Sequence, residues 1–108
     1  MSAVRSDIWC AAFVRRHNGL GNFCVVARKG DAIAGQVWIE VDHLDGTRSL
    51  HTQMSSAAQG EGDGDRVFQK RFERVEPERI AERIAREIDF DPDIWVLSLD
   101  MRGDDIGV

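Results

Sequence analysis

Two alternating apolar runs between residues 35 and 54, separated by the pair Asp45-Gly46, constrain the fold of this chain more than any other feature of its sequence. Asp-Gly between such runs is typical of a two-residue type I′ turn, in which both central residues take positive φ angles. The pattern therefore predicts a β-hairpin in which Leu44 faces Thr47 across the turn.

This turn predicts which side chains share a face, because side chains alternate along a strand. The predicted apolar face holds Val37, Ile39, Val41, Leu50 and Met54. The predicted polar face holds Glu40, Asp42, Ser49, His51 and Gln53. Trp38 falls on the polar face, where it is either an exposed contact or covered by another element, and its size favours cover by a loop or tail.

The segments before the hairpin follow helix and strand patterns. Ser6-Asp7 and the helical spacing that follows predict a helix from Asp7 to His17, although alternation in the same residues would also suit a strand. Phe23 to Arg28 predicts a strand, joined to the hairpin by the Gly-bounded loop 30–35. Together these strands would form a three-stranded antiparallel meander.

After the hairpin, the pattern predicts a strand, a helix and a final strand. Residues 66 to 72 alternate as a fourth strand, and Glu76-Pro77 opens a helix, because proline fits the first helical position. The apolar stripe of that helix is Ile80, Ile84 and Ile88. The helix should end near Phe90, and residues 94 to 99 form the last strand.

The element order α-β-β-β-β-α-β predicts an α+β fold, a mainly antiparallel sheet of four to five strands with two helices packed on one face. A length of 108 residues suits a single domain, spanning residues 1–108. Residues 55–65 are rich in glycine and aspartate and predict a flexible loop, and residues 101–108 predict a frayed acidic tail.

Composition excludes several classes of protein. A net charge of −5 disfavours nucleic-acid binding, and no apolar run approaches the length of about 20 residues that a membrane span needs. The first residues lack the apolar core of a secretory signal, so a cytoplasmic location is expected. Cys10 and Cys24 lie within apolar runs and are expected to be buried, reduced thiols, with a disulfide as the alternative.

No motif in the chain indicates catalysis, a metal or a cofactor. In the predicted register His43 and His51 project from opposite faces of the hairpin, with Glu40 opposite His51 as a cross-strand pair. Asp91 and Asp93 flank a proline, which suits turn formation, with an acid/base pair as the alternative. Structural roles are expected for these histidines and carboxylates, so the sequence favours a protein that is not an enzyme.

Four cations form the main candidate site. Arg15 and Arg16 close the first predicted helix, while Arg28 and Lys29 close the first strand, and their convergence would create a site for an anion or an acidic partner. The alternative is a solvated face paired with the acidic C-terminal half of the chain. Trp38 is the candidate apolar contact.

Short motifs spread along the whole chain resemble those of one known family. They are Ile8-Trp9, Arg15-Arg16, Gly30-Asp31, Ala34-Gly35, Leu44-Asp45-Gly46, and Phe90-Asp91-Pro92-Asp93 followed by Trp95-Val96. In this order and spacing they resemble a family of small alphaproteobacterial proteins known as a domain of unknown function, numbered fourteen ninety-one. The resemblance implies a bacterial, single-domain, cytosolic protein and assigns no functional residues.

Two functions from different classes follow from these features. The first is a small interaction module that binds a protein partner through a sheet face or edge, with Trp38 and the four cations as contacts. The alternative is a small anion- or nucleotide-binding enzyme or sensor that uses the basic cluster. Weak RNA binding at the basic strand 66–71 is a third hypothesis, which the net charge disfavours.

Overall fold

The computed structural model describes residues 4–54 and 66–108, and the predicted flexible loop 55–65 lies outside them. The described elements are α1 (Ser6–Gly19), β1 (Phe23–Arg28), β2 (Val37–Asp42), β3 (Arg48–Gln53), β4 (Phe68–Val75), α2 (Pro77–Phe90) and β5 (Trp95–Asp100). The predicted α+β class and element order are confirmed. Neither α1 nor α2 has the length and apolar character needed to cross a membrane.

The five strands form one sheet in the order β1-β5-β2-β3-β4. The last strand pairs antiparallel with β1 and parallel with β2, so it separates two strands that the sequence predicted to be neighbours in a meander. That prediction is wrong because β5 carries apolar side chains on both faces: Leu97 is buried on one and Val96 on the other. A strand whose side chains are buried on both faces is typical of the interior of a sheet.

Two glycines in the loop between β1 and β2 let β5 begin where it does. Gly30 and Gly35 lie so close to the backbone at Asp93 that a Cβ atom on either would overlap its carbonyl oxygen. The backbone N–H of Asp31 donates to that same oxygen at 3.0 Å. The loop therefore passes directly beneath the start of β5, as only residues without side chains allow.

The hairpin of β2 and β3 forms, but its register is offset by one residue from the predicted one. Val41 faces Ser49 in place of Leu50. The turn is a three-residue loop in which Leu44 has φ of 64°, closed by a hydrogen bond from the His43 N–H to the Thr47 carbonyl at 3.1 Å. The extra loop residue shifts all pairings.

The offset turns Leu50 onto the face of Trp38 and His51 onto the face of Ile39. Alternation along β2 is as predicted, but the two strands combine differently, so each face of the hairpin carries apolar side chains. The sheet therefore needs cover on both sides.

The two helices provide that cover from opposite faces, whereas the sequence predicted both on one face. The α1 side of the core contains Cys10, Phe13, Cys24, Val37, Ile39, Val41, Trp95, Leu97, Leu99 and Ile106. The α2 side contains Trp38, Leu50, Ile80, Ile94 and Val96. Each helix packs on a different face, so the prediction of a shared face is wrong.

The C-terminal segment is anchored in the core and is not a frayed tail. Ile106 is 3% exposed and packs with the α1 side of the core. Its carbonyl accepts a hydrogen bond from His17 Nε2 at 2.9 Å, and the Met101 N–H donates to the Asp42 carbonyl at 2.9 Å. The prediction of a frayed tail was wrong because it followed the acidic composition of the segment, whereas the apolar Ile106 attaches the segment to the core.

We expect Ile106→Ala to lower the free energy of unfolding by about 2–5 kcal/mol, because it leaves a cavity in a packed core. The matched control is Ile33→Ala at a side chain that is 64% exposed, where the change should stay within about 0.5 kcal/mol. Urea denaturation followed by circular dichroism measures both. Equal effects of the two substitutions would show that the segment does not contribute to the core.

Candidate functional site

The four predicted cations do not converge, because they lie at opposite ends of β1. Arg28 donates from Nη2 to the Pro92 carbonyl, just before β5, at 2.8 Å. Arg16 donates to the carbonyls of Ile106 and Gly107, after the end of β5, at 3.4 and 3.3 Å. Strand β1 runs antiparallel to β5 and spans five residue steps, or about 16 Å, between its end near Arg16 and its end at Arg28.

The remaining two cations are exposed at these separate places. Lys29 follows Arg28, whereas Arg15 stands on α1 three residues before Asn18. The predicted single anion site is thus divided into a pair at the C-terminal end of β1 and two arginines on the last turns of α1.

Trp38 lies inside the molecule. Its side chain is 3% exposed, its Nε1–H donates to Gln36 Oε1 at 2.8 Å, and the Arg83 guanidinium stacks on its ring at 5.0 Å. Helix α2 covers it, in place of the loop or tail that the sequence favoured. Trp38 therefore offers no surface to a partner.

The strand β1 is an edge of the sheet and carries exposed apolar side chains. Phe23, Val25 and Val26 are 62%, 38% and 41% exposed. Only Cys24 of this strand is fully buried. Strand β1 is therefore an exposed apolar strand that pairs with another strand on one side only.

The outer backbone of β1 is capped at its beginning and open further along. The Asn18 side chain accepts the Cys24 N–H at 3.1 Å and donates to the Cys24 carbonyl at 2.9 Å. Hydrogen-bonding direction alternates along a strand that is paired on one side, so the N–H and C=O of Val26 also point away from β5. A bulge after Val26 then twists the strand before Arg28.

The other edge of the sheet, β4, is protected by charge. Four of its eight residues are charged, namely Lys70, Arg71, Glu73 and Arg74, whereas β1 has a charged residue only at its last position. Charged side chains on an edge strand oppose pairing with another chain. The two edges therefore differ in what they can bind, and β1 is the one suited to strand pairing.

Phe23, Val25 and Val26 are not among the predicted site residues, because the predicted meander places β1 beside β2. The signal was nevertheless present, since the strand Phe23–Arg28 has apolar residues on both faces while a single helix packs over one of them. Such a strand is either central or an open edge.

His43 and His51 lie on the same face, in contrast to the prediction, because of the register offset. His43 donates from Nδ1 to the Met101 carbonyl at 3.0 Å and accepts the Ser49 hydroxyl proton at Nε2, at 2.8 Å. The Arg74 N–H donates to the same hydroxyl oxygen at 3.0 Å. Ser49 is 1% exposed, so this arrangement joins the hairpin to β4 and the C-terminal segment and is closed to substrates.

The predicted cross-strand pair between Glu40 and His51 does not form. Glu40 faces Leu50 and accepts a hydrogen bond from Arg48 at 2.8 Å. Within residues 4–54 and 66–108, no group of three or more histidine, cysteine and carboxylate side chains could hold a metal ion.

The candidate nucleophiles and acid/base groups have structural roles. Burial raises the pKa of Cys10 to about 12 and that of Cys24 to about 11, so both stay protonated, and both are free and buried as predicted. The Asp91 carboxylate accepts the Asp93 N–H at 3.1 Å, which is the turn geometry that was one of its two predicted roles.

Comparison with known proteins finds similar bacterial proteins. The family model described as "Protein of unknown function (DUF1491)" matches residues 4–106. A solution structure from Agrobacterium tumefaciens has a TM-score of 0.83 and 30% identity, covering 95% of this chain and 90% of that one. No curated protein matches the chain.

Two structures of DUF1491 family proteins from Caulobacter crescentus are also similar. The crystal structure has a TM-score of 0.75 and 33% identity, covering 92% of this chain and 87% of that chain. The NMR structure has a TM-score of 0.77 and 34% identity, covering 98% and 94%.

His51 should make stability depend on pH. Burial, followed by the charges of Lys70 and His43, lowers its pKa from 6.5 to about 4, against an opposing effect of Asp104. Between pH 6.5 and 4 the unfolded chain therefore binds a proton that the folded chain does not, and acidification destabilises the fold.

As the pH falls from 6.5 to 4, we expect the free energy of unfolding of wild type to decrease relative to that of His51→Gln, by up to about 1.4 kcal/mol per pH unit. Above pH 7 the free energies of unfolding of the two proteins should change equally with pH. Urea denaturation of both proteins at a series of pH values measures it, and the carboxylates that they share cancel in the difference. Parallel pH profiles would contradict the assignment.

Proposed function

The chain belongs to the DUF1491 family of proteins of unknown function, as its sequence resemblance indicated, and we propose that it is a non-catalytic interaction module that binds another protein along β1. The observation that carries the proposal is an edge strand with Phe23, Val25 and Val26 exposed and with outward backbone groups at Val26. An edge of this kind can accept an added strand, with main-chain hydrogen bonds supplying affinity.

The partner is an extended segment of another protein with apolar residues at alternate positions. Its backbone pairs at Val26, beyond the Asn18 cap, and its side chains pack against Val25 and Phe23 on the face that α2 leaves open. Each large apolar side chain buried there contributes about 1.5–3 kcal/mol. Specificity comes from the alternation, because a shift by one residue turns the apolar side chains away.

The charges at the end of β1 favour an acidic residue in that segment. Lys29 is exposed and Arg28 is partly buried, and neither forms an ion pair with a carboxylate in the part of the chain that the structure describes. A carboxylate of the partner beside them adds attraction over a distance and raises the association rate. Arg15, on the outer side of α1, is not needed for this contact.

The buried chemistry of the domain supports a role in binding. Ser49, His43 and both thiols are closed to substrates, so the groups most suited to nucleophilic catalysis stabilise the fold. As part of the same proposal the module acts in the cytoplasm, which agrees with two free cysteines.

The test is affinity capture from an alphaproteobacterial lysate with three versions of the protein. We expect partners retained by wild type to be lost with Val26→Lys, since a lysine on an edge strand opposes pairing. Gln69→Lys on the exposed face of β4 is the matched control and should retain them. Circular dichroism verifies that both variants fold.

The captured partner should also bind Lys29→Glu at least about tenfold more weakly, and wild type more weakly as salt is raised, because the contact is partly electrostatic. Retention that is the same for Val26→Lys, Gln69→Lys and wild type would contradict the proposal. So would the absence of any retained protein.

A further inference from the structure

A second surface lies on the β4 side of α1, away from β1. It is an open cleft of about 400 Å³ lined mainly by Trp9, Phe13, Arg16, Arg66 and residues 107–108. Trp9 contacts Phe68 of β4 with ring centroids 5.4 Å apart, which places the cleft between α1, the start of β4 and the C-terminal segment. None of the residues proposed for the β1 contact lines it.

The floor of the cleft is aromatic and held in place by the core. Trp9 and Phe13 stack with centroids 5.3 Å apart and planes inclined by 16°. Phe13 is 3% exposed, so its ring is fixed, while Trp9 is only partly buried and faces the cleft. The other two indoles, Trp38 and Trp95, are each 3% exposed.

Two guanidinium groups lie over this floor. The Cζ atom of Arg16 is 5.3 Å from the centroid of Phe13, and that of Arg66 is 5.7 Å from the centroid of Trp9. Arg66 is oriented by hydrogen bonds to the Val4 carbonyl at 3.0 Å and the Ser6 hydroxyl at 2.8 Å. Arg16 makes two long hydrogen bonds, to the carbonyls of Ile106 and Gly107.

Neither guanidinium has a carboxylate partner among residues 4–54 and 66–108, although the chain has 19 acidic and 14 basic residues. The cations that do form ion pairs in this part of the chain are Arg5, Arg48, Lys70, Arg74 and Arg83. Two like charges over one cleft, in an acidic protein, create a local positive potential.

The guanidinium of Arg66 has hydrogen bonds and an aromatic ring beside it, but no opposite charge within the described residues. Its Nε is buried without a hydrogen-bond partner among residues 4–54 and 66–108, and burial lowers the pKa of its guanidinium. A buried or partly buried charge is costly unless an opposite charge approaches it. An anion in the cleft would offset that cost by pairing with the guanidinium groups of Arg16 and Arg66.

We infer that this cleft binds an oxyanion, a carboxylate or a phosphate, that is joined to an apolar body. Guanidinium groups bind both oxyanions through charge-assisted hydrogen bonds. The apolar body packs on Trp9 and Ala12, whose side chains are accessible, while Phe13 supports Trp9 from the core side. The guanidinium groups bind the oxyanion and the aromatic floor binds the apolar body, so both parts of the ligand contribute to its affinity.

The experiment follows the three indole N–H signals of the full chain by 1H–15N NMR during titration. The probes are hexyl phosphate and hexanoate, with inorganic phosphate as the anion alone and hexanol as the apolar body alone. We expect the Trp9 signal to move with the two amphipathic anions, while Trp38 and Trp95, with their indoles bonded to Gln36 and Asp31, stay in place. The tighter of the two probes identifies the oxyanion.

Arg16→Gln and Arg66→Gln should each weaken this binding at least tenfold. Arg15→Gln is the matched control, since Arg15 is the neighbouring exposed arginine of α1 and does not line the cleft. Arg16→Gln decides the result if Arg66→Gln unfolds. Val26→Lys on β1 should leave binding unchanged.

Three results would overturn the inference. The first is a Trp9 signal that neither amphipathic anion moves. The second is equal affinity for hexanol and hexanoate, or for inorganic phosphate and hexyl phosphate. The third is equal affinity of Arg16→Gln and wild type for the amphipathic anions.

Discussion

The parallel pairing of β5 with β2 is the contact on which the rest of the structure depends. The two strands align from Val37 beside Trp95 to Asp42 beside Asp100, at the centre of the sheet. Most of their side chains are buried, on both faces, and each large apolar one contributes about 1.5–3 kcal/mol to stability. Because both faces of this pair are apolar, one helix must cover each face, and α1 and α2 do so.

The same pairing determines which surfaces remain open. By occupying the place beside β2, the last strand leaves β1 with one partner and an apolar outer side. It also carries the chain to the position from which Ile106 reaches the core and the C-terminal segment forms one wall of the cleft at Arg16. The two surfaces proposed for binding are thus separate consequences of where β5 lies.

Local features of the fold were predictable because they depend on neighbouring residues. Pro77 and the spacing of Ile80, Ile84 and Ile88 predicted α2, which spans Pro77–Phe90, and β1 has its predicted bounds. The hairpin register was not predictable from Asp45-Gly46, because Leu44 adopts a positive φ that its side chain disfavours. That choice depends on the surrounding strands.

Long-range features required the structure. Sequence patterns do not specify which strand β5 joins, and the predicted convergence of Arg15 and Arg16 with Arg28 and Lys29 depended on that pairing. The partnership of Arg16 with Arg66 spans fifty residues of sequence and depends on the start of β4 lying beside α1. The sequence was enough to place Trp38 on one face of the hairpin, but not to identify α2 as the helix that covers it.

Amide hydrogen exchange along β1 tests the central claim most directly, namely that β5 fills the interior of the sheet and leaves the outer side of β1 free. Val25 and Val26 are adjacent and of the same type, and only the Val25 N–H points toward β5. The account predicts slow exchange at Val25 and exchange at least tenfold faster at Val26. Equal protection of the two amides would contradict it, because another strand would then lie on the outer side of β1.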